Sequence, residues 1–305
     1  MKTKWPKSVF ADKNDLIDLK KKANAFKLKK TKLPVLTGTG ENFSPFKTKG
    51  LDFQEVRVYQ PGDDIRLIDW RITAKHNKPY TKLFTDEKER QVFLFIDMQS
   101  TMKFATQGAF KSVIAAKTGA LLSFLAINKQ DKLGFTILSN QKIECASSSS
   151  NSETLVSFFD ALEEAGNPLT TEPIQITLDQ ALLKTEKLIK KGAFVFILSD
   201  FFDFSAETKE SLSRISKKAT CALIHIYDKL ETEFPKNILP VSNGESVLFF
   251  NGKQKSFQKK YQQLFQEKTK QLIELTSNPN IGYLPLSTED DFLLKTASFC
   301  QGGLL

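Results

Sequence analysis

Cysteine and histidine are scarce in this chain, and much metal and disulfide chemistry goes with them. Its 305 residues include three cysteines, Cys145, Cys221 and Cys300, far apart and never paired as CxxC. That pattern argues against a disulfide framework or a zinc site and favours a reducing compartment. His76 and His225 are the only histidines, too few for a multi-histidine metal centre and a poor supply for triad hydrolysis. Long apolar runs are also lacking. The longest strictly apolar stretches, at 92–96 and 193–198, fall far short of the roughly 20 residues needed to cross a bilayer. No apolar segment follows the basic start, so no secretory signal is read and a cytoplasmic protein is expected. With 14 glycines and 11 prolines the chain is neither fibrous nor of low complexity. No Walker motif occurs, which removes ATP hydrolysis by that route.

What is present is an ordinary globular composition, 40% hydrophobic and 26% charged, with 26 phenylalanines that imply aromatic-rich packing. The length suits about two domains, or one large domain with an extension. The formal charge of +9 is unevenly placed. The first fifty residues hold 13 lysines, no arginine, three aspartates and one glutamate, so they carry the whole surplus. Lys20, Lys21, Lys22, Lys27, Lys29, Lys30 and Lys32 are its densest part. Such an arm attracts phosphate backbones, anionic lipid or acidic protein, or is simply a solvated helix face and linker. Leu16, Leu19, Ala23 and Phe26 fall at helical spacing behind Asp12 or Asn14 as an N-cap. The absence of arginine and interleaved aromatics gives specific nucleic-acid readout little support.

Three regions are expected: a basic arm with a short helix over 1–34, a β-rich part over 35–90, and an α/β domain over 91–305. In the β-rich part, Pro61-Gly62 marks a turn. A short helix should then carry Ile65, Ile68 and Ile72 until Pro79, before a strand at 80–84. From residue 91 strands and helices alternate. Strands are expected at 91–97, 131–139, 193–199, 220–227 and 281–286, with helices at 109–128, 153–165, 178–191, 207–217, 258–276 and 289–299. A strand at 141–146 should form an antiparallel hairpin with the one before it. Within an insertion at about 228–257, a second hairpin pairs 246–250 with 254–257 around Asn251-Gly252. Alternation of this kind means a mostly parallel sheet with helices on both faces.

In such sheets ligands gather beyond the carboxyl ends of the strands. Asp97 closes one buried strand and Asp200 another. If the strands are neighbours, their carboxylates share a rim with the hydroxyls of Ser100, Thr101 and Ser199. Gathered hard oxygens suit a divalent cation such as Mg²⁺. The plainer reading is that both aspartates cap the segments that follow.

Residues 55–75 carry a dense block, Pro61-Gly62-Asp63-Asp64, then Arg66, then Asp69-Trp70-Arg71 and Lys75. This block resembles the signature of the family known as domain of unknown function 58. So do Lys82, Phe84, Glu87, Glu89 and Arg90, the Leu198-Ser199-Asp200-Phe201 strand end, Tyr227-Asp228 with Glu231, and 286–290. The resemblance covers about residues 35–300. It implies a von Willebrand factor A-like domain with a smaller β-rich N-terminal part, an association with MoxR-type AAA+ ATPases, and no established reaction. It also implies a metal motif, which here reads Asp97, Gln99, Thr101, a loop threonine for which Thr177 is the nearest candidate, and Asp200. Gln99 stands where a hydroxyl belongs. Its longer side chain and NH₂ group make the expected site degenerate, binding Mg²⁺ weakly or not at all.

Two readings stand for the 61–75 block. Asp63, Asp64, Arg66, Asp69, Arg71 and Lys75 could brace a short helix, with Trp70 anchored in the core. Alternatively they form a recognition patch, since Arg and Trp are enriched at binding hot spots. Lys111, Ser112 and Lys117 are read as solvent-facing, and His225 as a satisfied core histidine. The expected function is a bacterial, cytoplasmic, non-enzymatic adaptor that works with a MoxR-type AAA+ ATPase and an unidentified client in maturation or assembly. The alternatives are a metal-dependent hydrolase using the Asp97/Asp200 rim, and a nucleic-acid or membrane-surface binder using the lysine-rich arm.

Overall fold

The structure is a computed structural model that describes residues 6–25, 51–76, 78–86, 90–168, 173–235, 238–242, 247–251, 253 and 255–302. The expectations for Phe26, for the lysines at 27–32, for 35–50 and for Glu87 and Glu89 lie outside the described residues. The chain forms two compact units, residues 1–36 with 90–305, and residues 37–89.

The larger unit begins with helix α1 (Lys13–Ala25). Asp12 caps it, accepting the Asp15 N–H at 2.8 Å. Leu16, Leu19 and Ala23 are buried along one stripe, as their spacing requires. Lys13 pairs with Asp160, which fastens the helix to the body.

The smaller unit is a two-stranded antiparallel ribbon of β1 (Leu51–Val58) and β2 (Tyr80–Asp86), joined through a 3₁₀ turn (Ile65–Leu67) and helix α2 (Trp70–His76). Here the expected single helix is corrected. Asp64 caps the 3₁₀ turn and Asp69 caps α2, so two caps five residues apart break the segment into two pieces. Ile68, between them, bridges to Thr81 of β2 instead of continuing a helical stripe.

The larger unit then continues with β3 (Gln91–Asp97), α3 (Lys111–Asn128), β4 (Lys132–Leu138), β5 (Ile143–Ser149), α4 (Ser152–Ala165), α5 (Leu178–Glu186), β6 (Ala193–Ser199), α6 (Ala206–Ser216), β7 (Ala219–Tyr227) and a short α7 (Lys229–Thr232). After β8 (Ile238–Ser242) and β9 (Val247–Asn251) come α8 (Lys255–Glu274), β10 (Ile281–Ser287) and α9 (Phe292–Gly302). Six strands form one sheet in the order β10-β7-β6-β3-β4-β5, parallel except for β5.

The sheet is covered on both faces, which explains the unbroken apolar runs of its central strands. Phe93 and Phe95 of β3 join one core with Val195 and Ile197 of β6, Leu182 of α5 and Leu212 of α6. Val92, Leu94 and Ile96 point to the other, against α3, α4 and α1. Successive residues of a strand face opposite ways, so each strand serves both cores. Helix α3 lies so close to β3 that a Cβ at Gly119 would collide with Ile96.

Several boundaries differ from the sequence reading, three of them with a clear physical reason. Strand β5 runs on to Ser149, through the serines read as a loop, because pairing with β4 continues to Leu133 opposite Ser149. Helix α5 ends at Glu186; beyond it Gln91 holds the Leu188 carbonyl and the Lys190 N–H, so the chain turns towards β6. The second hairpin pairs β8 with β9, not 246–250 with 254–257. Its second arm was assigned to what is the start of α8, and Pro240 sits in the first. A two-stranded ribbon leaves one edge of each strand unpaired, which suits a residue without an N–H.

Candidate functional site

Strands β3 and β6 are parallel neighbours, paired up to Ile96 opposite Leu198. One step further along, Asp97 and the Ser199-Asp200 pair emerge side by side at the carboxyl rim. Ser199 Oγ donates to Asp97 Oδ2 at 2.7 Å, and the Gln99 N–H donates to Oδ1 at 3.0 Å. The Phe202 N–H donates to Asp200 Oδ1 at 3.0 Å. Asp200 Oδ2 receives Lys111 Nζ at 2.7 Å. Each of the four carboxylate oxygens therefore accepts a hydrogen bond from the protein itself.

Lys111 corrects the sequence reading. It was expected in solvent, together with Ser112 and Lys117, yet Lys111 and Ser112 are buried and Lys117 is half-buried. As the first residue of α3, Lys111 meets the unfavourable positive end of that helix. It is held instead by two carboxylates, Asp200 and Glu231 of α7. Burial works against its charge, but those two acids outweigh it and raise its pKa above the ordinary lysine value. Lys268 of α8 adds a second cation, donating to the Asp200 backbone carbonyl at 3.0 Å.

Asp97 is pushed the other way. Burial and the nearby Asp200 charge raise its carboxyl to about 7, against the opposing pull of Ser199, Gln99 and Lys111. Behind the rim, Phe201 is fully buried with φ +49°, a conformation a bulky residue rarely adopts. Its N–H donates to Ser199 Oγ at 2.9 Å, which locks the turn. That sharp turn throws Phe202 outward, 71% exposed beside the acids. Strain of this kind concentrates at functional positions.

The other expected residues lie close by. The Ser100 N–H donates to Asn140 Oδ1 at 2.8 Å, and Thr101 follows in the same 3₁₀ turn (Ser100–Met102). Gln99 is buried, and its side-chain NH₂ donates to the Ile176 carbonyl at 2.7 Å. Thr177 is the next residue and stands at the N-cap of α5, its N–H donating to Gln180 Oε1 at 3.1 Å. The loop carrying Thr177 is thus pinned against Gln99.

A second polar node occupies the same rim at the ends of β7 and β10. Asp228 accepts from the Thr106 N–H at 2.9 Å, Thr106 Oγ1 at 2.7 Å, Thr288 Oγ1 at 2.8 Å and the Leu230 N–H at 2.9 Å. Burial opposes its charge, but these donors hold its carboxyl below the usual range. Asp228, Glu231 and Thr288 thus gather with the Leu198-Ser199-Asp200 strand end on one edge of the sheet. Below this edge His225 is buried; its Nδ1 lies 2.9 Å from Tyr283 Oη, but its Nε2 is buried without a hydrogen-bond partner among the described residues, so the expected satisfied core histidine is met at one ring nitrogen and not at the other.

A hard divalent cation fits this donor set poorly. Such ions need about six oxygen ligands in an open cage. Here an ammonium already takes Asp200 Oδ2, and Gln99 has turned its side chain to a backbone carbonyl.

In the smaller unit the acids of the 61–75 block act as braces. Asp63 takes Arg57 Nη2 at 2.8 Å and the Gln60 N–H at 2.9 Å, while Asp64 and Asp69 are the two caps. The Ile72 N–H is the leading cause of a lowered pKa at Asp69. Trp70 is not a core anchor: it is 67% exposed, between the exposed Arg66 and Arg71. Helix α2 has only seven residues and buries none of them, which leaves no core for the indole to enter.

The molecule is thus an α/β protein with a polar, self-paired rim and a separate small β-ribbon unit carrying an Asp-braced Arg/Trp face. Its chain matches the family described as protein of unknown function DUF58 over residues 55–271, and it belongs to that family. It is 25% identical over 199 residues to uncharacterized proteins of Mycobacterium bovis and Mycobacterium tuberculosis, a match that covers 64% of this chain and 61% of theirs. The chain thus spans about three fifths of the length of these relatives. It is also 33% identical over 70 residues to the uncharacterized protein YeaD of Bacillus subtilis, covering 23% of this chain and 16% of YeaD. Among solved structures, the conserved hypothetical protein BatB of Bacteroides thetaiotaomicron superposes with a TM-score of 0.41 at 10% identity, covering 68% of this chain and 96% of BatB.

Among the residues of the rim, sequence reasoning missed Lys111, Asn140, Lys268 and Phe202, and Asp228 and Glu231 enter there only through the family resemblance, with no role. Lys111 had a usable signal. A cation in the first turn of an otherwise apolar helix opposes the helix dipole, so an anion should be waiting for it. Asn140 and Lys268 had none, because their partners are 40 and 68 residues away.

Proposed function

We propose that this chain is a non-enzymatic interaction or adaptor protein that acts with a MoxR-type AAA+ ATPase in the maturation or assembly of other proteins. Its α/β unit is read as von Willebrand factor A-like, with a degenerate adhesion-type rim at Asp97, Gln99, Thr101, Thr177 and Asp200. A cytoplasmic setting belongs to the same reading; no helix among the described residues is long and apolar enough to cross a membrane.

The observation that supports it best is the state of the rim. All four oxygens of Asp97 and Asp200 are engaged inside the protein, while the adjoining Phe202 is exposed. A general base or nucleophile must present a reacting atom to a substrate. A docking edge needs the opposite, a rigid polar frame with an aromatic side chain projecting from it. The exposed Trp70, Arg66 and Arg71 of the small unit form a second surface with hot-spot composition.

The test is binding between the purified chain and the purified MoxR-type ATPase of the same cell, with ATP, with ADP and with neither. Nucleotide-dependent binding weakened by Phe202→Ser is expected. No binding in any nucleotide state, or turnover of phosphoester or peptide substrates abolished by Asp97→Ala, would remove the adaptor reading.

A further inference from the structure

We infer that Lys111 is the rim's own cation, an ammonium carried on the chain that occupies the position at Asp200 where an adhesion-type site would hold a divalent ion. The side chain of Lys111 is 4% exposed, and its Nζ contacts both Asp200 Oδ2 and Glu231 Oε1. These two acids come from the ends of β6 and from α7, and Lys111 comes from α3, so three separate segments converge on one ammonium. Nothing in its own helix favours a cation there; the helix end repels it. Only the paired carboxylates account for its burial.

Two further residues of a metal shell, Asp97 and Gln99, are committed as well. Asp97 accepts from Ser199 Oγ and the Gln99 N–H, and the Gln99 amide points to Ile176. A divalent ion entering this space would have to displace the ammonium, because two cations cannot share Asp200 Oδ2 at contact distance in a buried site. The rim is consequently set permanently: its shape does not depend on the concentration of Mg²⁺ or Mn²⁺. A metal-dependent grip could be switched off by chelation, and this one cannot.

Metal uptake is read directly, so failure of the adaptor reading leaves the test untouched. Mn²⁺ is titrated calorimetrically into the full chain, into Lys111→Ser and into Lys111→Ser/Asp200→Asn. The wild type should give no saturable binding. Lys111→Ser should gain a saturable site, and the double variant should lose it. Saturable Mn²⁺ binding by the wild type that disappears in Asp97→Asn overturns the proposal. So does a folded Lys111→Ser protein that takes up no Mn²⁺. If Lys111→Ser does not fold in metal-free buffer, it is refolded with Mn²⁺: recovery of the native near-UV circular dichroism supports the proposal, and no recovery overturns it.

Discussion

Lys111 Nζ lies 2.7 Å from Asp200 Oδ2, and both side chains are buried. Removing one partner of such a pair leaves the other charged and unsolvated. Lys111→Met should therefore cost roughly 3–5 kcal/mol in urea unfolding. The double variant Lys111→Met/Asp200→Asn should recover part of that loss, since it removes the stranded charge. Equal stability of Lys111→Met and wild type would mean that the pair contributes nothing.

Asp97 gives the fold a pH dependence of unusual sign. Its folded pKa, about 7, lies above the ordinary carboxyl value, so the native state binds the proton more tightly than the unfolded chain. The carboxyl favours folding most below pH 4 and progressively less as the pH rises to about 7, where its ionisation opposes folding. Asp97→Asn should flatten this contribution: between pH 4 and 7 the stability difference, variant minus wild type, should rise with pH. Equilibrium unfolding of both proteins across that window measures it.

Gly108 has φ +75°, and a Cβ there would sit 2.7 Å from the Thr288 carbonyl oxygen. Gly108→Ala should destabilise the protein by about 1–3 kcal/mol through backbone strain, with the collision adding to it. The loss should appear in thermal unfolding. It should also loosen the loop that carries Thr106 to Asp228, seen as faster exchange of the Thr106 amide.

Phe202 and Trp70 are exposed, so their truncation should leave stability within about 0.5 kcal/mol of wild type. If the proposed adaptor reading holds, binding to a MoxR-type ATPase should nevertheless weaken in Phe202→Ser, and in Trp70→Ala where the second surface takes part. A large loss of stability in either variant would show that the side chain packs rather than docks.

Much of the large unit could be read from the sequence, because its signals are local. The runs at 92–96 and 193–198 are short and rich in β-branched and aromatic residues, typical of strands covered on both faces, and the strand-to-helix rhythm points to parallel pairing. Asp97 and Asp200 were legible as a rim because strand ends are predictable once the strands are. Glu231 and Asn140 were not, since their partners are remote in sequence and no spacing rule joins them; Lys111 carried the signal of a cation at a helix start, which calls for an anion without naming it. The small unit was misread for a different reason. The stripe Ile65, Ile68 and Ile72 has helical spacing, but Asp64 and Asp69 each cap a new turn, and local capping won over periodicity.

Diffraction from crystals soaked in Mn²⁺, with anomalous data at the manganese edge, tests the metal-free rim most directly. The expected map has no anomalous peak between Asp97 and Asp200, and continuous density from Lys111 to Asp200 and Glu231. A peak coordinated by Asp97 and Asp200, with Lys111 turned away, would contradict it.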